Sequence, residues 1–181
     1  MSEADLKIYK SSFKTRNVLV LGFWYLLNSL FFKTSFYWPS IRISLLRLFG
    51  ARIGKGVVIK PNVNIKYPWL LVVGDYVWIG EGVWIDNLVE VNIGSNVCIS
   101  QGAMLLTGNH NYKKSTFDLI TGEIVLEDGV WIGAKSVVCP GVTCHSHAVL
   151  SVGSVATTDL QPYKIYQGNP ARPIRDRQIE K

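Results

Sequence analysis

Three histidines occur in this chain of 181 residues, and one sits where acid–base chemistry could be done. His110 lies in Thr107-Gly108-Asn109-His110-Asn111-Tyr112, a run dense in hydroxyl, amide and imidazole groups. An imidazole titrates near neutral pH and can take a proton from an alcohol. The plainer reading is a loop histidine that caps a turn, and position alone leaves both open. His145 and His147 fall at a predicted corner of a repeat and read as surface turn residues. Two histidines without a third ligand make a weak metal site. Cys98, Cys139 and Cys144 are an odd set without CxxC spacing, which argues against a zinc site or a disulfide framework. Arg172, Arg175 and Arg177 follow Gly168-Asn169-Pro170 and read on their own as a solvated basic tail.

Charge is unevenly spread. Residues 1–52 carry eight Lys/Arg against two Asp/Glu, residues 53–163 six against nine, and residues 164–181 five against two. Basic ends around a mildly acidic middle suit a phosphorylated ligand or an anionic membrane face. They do not make the continuous basic stripe that nucleic acid requires. Nearly half the residues are apolar, enough for a sizeable core.

The elements that position these groups announce themselves by a repeat. An aliphatic residue recurs every six positions: Ile53, Ile59, Ile65; Val73, Ile79, Ile85; Ile93, Ile99, Leu105; then Leu126, Ile132, Val138, Cys144, Leu150, Ala156. A unit this short cannot bury a core alone and must stack on copies of itself, so the chain is a solenoid. Three hexads per coil make a triangular prism whose sides are short strands paired coil to coil. The glycine that often follows the inward aliphatic is expected at a corner of unusual φ. The first coils repeat every twenty residues, with two extra residues near Tyr67-Pro68 and near Glu90-Val91. Later coils repeat every eighteen. The extras fall at one corner of successive coils, and residues 107–123 break the repeat as a protruding loop between the third and fourth coils. Trp78, Trp84 and Trp131 should point outward and need covering.

Residues 1–52 read as a helical lead-in. Residues 1–16 are polar and loose or partly helical. Residues 17–33 form a helix by length and apolar content. Trp38-Pro39 breaks the chain. Ser40–Phe49 forms a second helix with Ser40 as N-cap, Ile41, Leu45 and Leu48 on one face, and Gly50 as its stop. The apolar run Val18–Phe32 is too short to span a bilayer, which takes roughly 18–20 residues. It packs against the solenoid or lies in a membrane interface, helped by Lys7, Lys10, Lys14, Arg16 and Lys33. With no cleavable signal peptide and no disulfide framework, the expected setting is cytoplasmic, with peripheral contact at the inner face of the membrane as the second option.

Residues 53–175 resemble the hexapeptide-repeat acyltransferases, the maltose, galactoside and nodulation-type O-acetyltransferases among them. Leu48-Phe49-Gly50-Ala51-Arg52-Ile53-Gly54, Ser100-Gln101-Gly102, Thr107-Gly108-Asn109-His110, Phe117-Asp118-Leu119-Ile120-Thr121-Gly122 and Gly168-Asn169-Pro170-Ala171-Arg172 resemble the colanic-acid-type polysaccharide acetyltransferases more closely. The resemblance implies an all-β, left-handed parallel β-helix of about five coils over residues 53–163, with residues 164–181 as a C-terminal basic tail. Its hand comes from the resemblance, since crossover connections otherwise turn right-handed. It implies acetyl-CoA as co-substrate, no metal, and a homotrimer with active sites between solenoids. His110 would be the general base for direct attack of a sugar or glycolipid hydroxyl on the thioester, without an acyl-enzyme. Asp86 and Asn87, one coil earlier, are the catalytic partners that would hold His110 or the acceptor; as corner-forming residues they have a structural reading too. Asp118 could serve in their place or simply pair with a lysine. Ala134, Val152, Thr157, Thr158, Arg172 and Arg175 match the cofactor-binding positions. The family often has lysine where Thr158 stands, and Lys164 or Lys135 could compensate.

Two other functions share the solenoid. A serine or sugar-nucleotide acyltransferase would use an amine or serine acceptor. A γ-carbonic-anhydrase-like solenoid would bind metal through three histidines, for which His110, His145 and His147 stand at the wrong repeat positions.

Overall fold

The computed structural model describes residues 9, 16–35 and 38–180. The expectation for residues 1–16, apart from Tyr9 and Arg16, lies outside them, as do Lys7, Lys10 and Lys14.

The period of six becomes three columns of buried side chains. On the first face Ile53, Val73, Ile93, Leu126 and Cys144 stand in register. On the second face Ile59, Ile79, Ile99, Ile132, Leu150 and Tyr166 do so. On the third face the column is Ile65, Ile85, Leu105, Val138 and Ala156. All strands in these columns pair in parallel, giving five full coils. Leu160, bridged to Cys144, and Tyr166 begin a sixth. Almost every column residue is fully buried, and that burial is what the repeat pattern encodes.

The glycines after the inward aliphatics do not have positive φ, contrary to expectation. They are required by space instead. A Cβ on Gly80 would lie 2.8 Å from Gln101 N, and one on Gly133 2.6 Å from Leu150 O. The left-handed residue comes two positions later and is often not glycine, as at Tyr76 (φ 55°) and Lys135 (φ 56°).

The extra residues stack at the corner between the third and first faces. Pro68–Leu70 forms a 3-10 turn there, a bend at residues 88–89 follows, and the protruding segment leaves one coil later.

Helix α1 (Val18–Leu27) continues into a π-helical turn at Asn28–Phe32, and α2 spans Pro39–Leu48. Together they close the open end of the first coil. Trp24, Phe32, Leu46 and Phe49 are buried with Ile59, Val63 and Ile65 in one core, and the Trp24 indole donates to Ile65 O at 3.0 Å. Two expectations for α2 are corrected. Pro39 occupies the first turn after Trp38, so Ser40 is not the N-cap; proline suits that position because its missing N–H would have no partner. The inward face carries Arg42 and Leu46, while Leu48 is 75% exposed. Arg42 is wholly buried, donating Nε to Phe31 O (2.7 Å) and Nη1 to Ile59 O (3.1 Å). Gly50, at φ 95°, ends α2, with Ala51 N reaching back to Leu46 O at 2.9 Å.

No helix among the described residues is long and apolar enough to cross a membrane. One side of α1 packs on the solenoid; the other leaves Val18, Leu19, Phe23 and Leu26 more than half exposed, as is Leu30 in the π-helical turn that follows. Residues 164–176 are not a tail but an antiparallel hairpin, Lys164–Gly168 with Ala171–Asp176, on the edge of the second face.

Candidate active site

The segment expected as a loop is a β-hairpin. Gly108–His110 pairs antiparallel with Leu119–Thr121, placing His110 opposite Leu119. Thr107, fully buried, anchors its foot. Its hydroxyl donates to Asp86 O at 3.0 Å and accepts from Leu88 N at 2.7 Å, and its carbonyl accepts from Gly122 N at 2.9 Å. Gly122 is required there, because a Cβ would meet Gly141 N at 2.5 Å.

At the far end the chain turns through Phe117 in a left-handed conformation, φ 50°. This aims its carbonyl at His110 Nδ1, 2.9 Å away. The Phe117 ring stacks on the imidazole at 4.4 Å with planes 7° apart, and Tyr9 meets it edge-on at 5.5 Å. A carbonyl only accepts, so Nδ1 carries a proton, and in the neutral ring Nε2 is the nitrogen with the lone pair. The orienting partner of His110 is thus the backbone carbonyl of the residue just before Asp118, not the carboxylate or amide chosen on sequence grounds.

His110 lines a cavity of about 350 Å³ together with Tyr9, Lys66, Tyr67, Asp86 and Leu88. Asp86 therefore reaches the site, but its Oδ1 is paired with Lys66 Nζ at 2.7 Å rather than with the imidazole, and it accepts no well-directed hydrogen bond there. Asn87 does not serve as a partner to His110. It is wholly buried, accepting from Tyr67 N (3.0 Å) and donating to Tyr67 O (2.7 Å) and Leu70 O (3.2 Å). Its amide braces the widened corner of the preceding coil. Asp118 pairs with Lys114 at 3.1 Å. Its carboxyl is held below the usual range by hydrogen bonds from Thr116 and then Lys114. Lys66 and Tyr67 are site residues that the sequence pattern did not single out.

A second concavity, about 440 Å³, runs along the second face and its corner with the third. Gln101, Trp131, Ala134, Val152, Ile165 and Arg175 line it. Of the expected cofactor residues, Ala134, Val152 and Arg175 are brought together here. Thr157, Thr158 and Arg172 do not line it. Thr157 and Thr158 are exposed beyond the last third-face strand, and Arg172 stands opposite Gln167 near the hairpin turn. Arg175 is brought in because residues 171–176 form a strand beside Ile165. Lys164 is ion-paired with Asp176, and Arg177 donates to Gly129 O (2.8 Å) and His147 O (3.1 Å).

The remaining candidates are structural. His145 Nδ1 lies 3.0 Å from Glu127, and His147 stacks on Tyr163 at 4.7 Å. Among the described residues no three His, Cys, Asp or Glu gather as a metal cage. Burial pushes the thiols of Cys98, Cys139 and Cys144 up, Cys144 furthest.

The two concavities lie at opposite ends of the third face and share no lining residue.

No family model matches the chain. It is 37% identical over 169 residues to the Escherichia coli protein named colanic acid biosynthesis acetyltransferase WcaF, covering 91% of each chain. It is 30% identical over 138 residues to the galactoside O-acetyltransferase of the same organism, covering 75% of this chain and 68% of that one. Its fold superposes on a hexapeptide-repeat acetyltransferase of Vibrio cholerae with a TM-score of 0.80 at 24% identity, covering 89% of this chain and 92% of that one. A structure of the Vibrio protein with acetyl-CoA gives 0.72 at 26% identity, with 77% and 78% coverage. Stacked hexads, a hairpin bearing a histidine and these likenesses agree: the chain belongs to the hexapeptide-repeat, left-handed β-helix acetyltransferases.

Proposed function

We propose that this protein moves an acetyl group from acetyl-CoA to a sugar hydroxyl in exopolysaccharide or lipid-linked oligosaccharide synthesis, with His110 as general base. The observation that carries this reading is the bond from His110 Nδ1 to Phe117 O, which leaves Nε2 as the basic atom on the wall of a cavity. The acceptor O–H gives its proton to Nε2 as the oxygen attacks the thioester carbonyl. A backbone amide near the thioester stabilises the oxyanion. As the C–S bond breaks, the thiolate takes the proton from the imidazolium. No cysteine is needed as a nucleophile, and their raised pKa values suit none to that task. Acetyl-CoA is drawn from the Vibrio relative; its pantetheine arm fits the small residue Ala134 and its phosphates the Arg175 fork.

Because the imidazole and the second-face groove stand apart in one chain, the reading includes an oligomer, a trimer, in which neighbouring copies share each active site. It also includes peripheral contact with an anionic membrane. The exposed apolar side of α1, flanked by Arg16 and Lys33, supports that contact.

Thiol release from acetyl-CoA with a panel of sugars, in wild type and His110→Ala, tests the proposal. The variant should lose at least about a hundredfold in rate, as general-base contributions do. Comparable turnover would remove His110 from the mechanism.

A further inference from the structure

A smaller cavity of about 170 Å³ lies between α1 and the third face, against the His110 cavity. Lys66 and Asp86 line both. Tyr25, Asn28, Lys33 and Trp84 complete the smaller one. At this size it suits a single ring rather than a drug-sized ligand, whose pockets run roughly 300–1,000 Å³.

Two features there are unexplained by folding. Asn28 is 2% exposed, yet only one end of its amide is used, Nδ2 donating to Asn64 Oδ1 at 2.8 Å. Its Oδ1 is buried without a partner. Whichever way the facing amides of Asn28 and Asn64 are turned, one polar end of Asn28 is left over, and such a group is destabilising unless a ligand hydroxyl or a water completes it. Trp84, in the same wall, keeps 37% of its surface exposed although it stands beside a helix that could have covered it. An indole face accepts the C–H face of a pyranose by dispersion, while the amide and the lysines meet its hydroxyls.

We infer that this cavity is a second sugar subsite, which takes the glycosyl unit next to the one acetylated at His110, so that the acceptor is an oligosaccharide and not a monosaccharide. The inference rests on the proposed sugar acceptor and narrows it. Tyr25 lies at the boundary. Burial, and then a hydrogen bond with Tyr67, pushes its phenol up to about 12, so it remains a hydroxyl at neutral pH. The two rings of the acceptor would sit on either side of the Lys66–Asp86 pair, with Asp86 and the lysine reaching both.

The test compares acetyl transfer to methyl glucoside and methyl galactoside with transfer to cellobiose and lactose, in wild type, Trp84→Ala and Trp84→Phe. Trp84 is on the surface, so the substitutions should fold. Expected is at least a tenfold higher kcat/KM for disaccharides in wild type. Trp84→Ala should shrink that preference at least fivefold and Trp84→Phe should keep most of it. Equal use of mono- and disaccharides, or a preference indifferent to Trp84→Ala, would overturn the subsite while leaving the sugar O-acetyltransferase reading standing. Turnover of no sugar on the panel would overturn that reading and this inference with it.

Discussion

Phe117 holds His110 twice, by its carbonyl 2.9 Å from Nδ1 and by its ring stacked 4.4 Å from the imidazole. The carbonyl sets the tautomer and the ring sets the tilt. Phe117→Ala keeps the first and removes the second. A stack of this kind is worth about 0.5–1.5 kcal/mol, so kcat should fall roughly three- to tenfold with the KM for acetyl-CoA little changed. Steady-state kinetics checks this. An unchanged kcat would mean that the carbonyl alone positions the base.

Much of this was readable in the sequence, and the reasons differ by residue. The columns from Ile53 to Ala156 were legible because burial repeats every sixth residue. The protruding segment was legible as a break because the repeat stops at Thr107, though its pairing as a hairpin was not, and the widened corner was legible because twenty exceeds eighteen. Asn87 stayed open between two readings because an asparagine at a corner looks the same whether it faces a ligand or braces a backbone; its three hydrogen bonds favour the brace. Phe117 was missed because a carbonyl acceptor has no residue signature. The inward face of α2 was misassigned to Ile41, Leu45 and Leu48 because a buried arginine, Arg42, satisfied by carbonyls breaks the apolar pattern used to choose a helix face. Residues 164–176 were taken for a tail, although Gly168-Asn169-Pro170 already carried a turn signal between two segments able to pair.

Arg175, not Arg172, lines the second-face groove. A hydrogen bond from a charged group contributes about 1.5–3 kcal/mol. Arg175→Ala should therefore raise the KM for acetyl-CoA roughly ten- to hundredfold and lower kcat less. Arg172→Ala should change KM under about threefold. Initial rates over a range of acetyl-CoA concentrations read both. The opposite order would move the cofactor's phosphates to the hairpin turn.

The exposed side of α1 should bind vesicles. Leu19 is 81% exposed, Phe23 55% and Leu26 54%. Full burial of such a side chain is worth about 1.5–3 kcal/mol, so changing all three to Ser should weaken partitioning at least about tenfold. Binding should require anionic lipid and weaken with salt, because Arg16 and Lys33 flank the patch. Sedimentation with vesicles of phosphatidylglycerol and phosphatidylcholine measures it. Equal recovery with pure phosphatidylcholine would remove the electrostatic part. No sedimentation at all would leave the face to a protein contact.

The separation of His110 from Arg175 makes the sharpest demand. The hairpin leaves the corner between the third and first faces, whereas the groove follows the second face and its far corner. A thioester seated beside Arg175 cannot also lie at His110 of the same chain unless it spans the third face. In a cyclic trimer the contact is head-to-tail, so each cleft takes the imidazole from one copy and the groove from its neighbour. Coexpressing His110→Ala with Arg175→Ala then leaves some clefts with both native residues. If copies mix at random, three-quarters of the trimers are mixed and each has one native cleft in three, so about a quarter of the wild-type rate returns at low acetyl-CoA. Purification through two different tags isolates the mixed oligomers. A rate no higher than the average of the two single variants would place the whole site within one chain and defeat the shared-cleft reading.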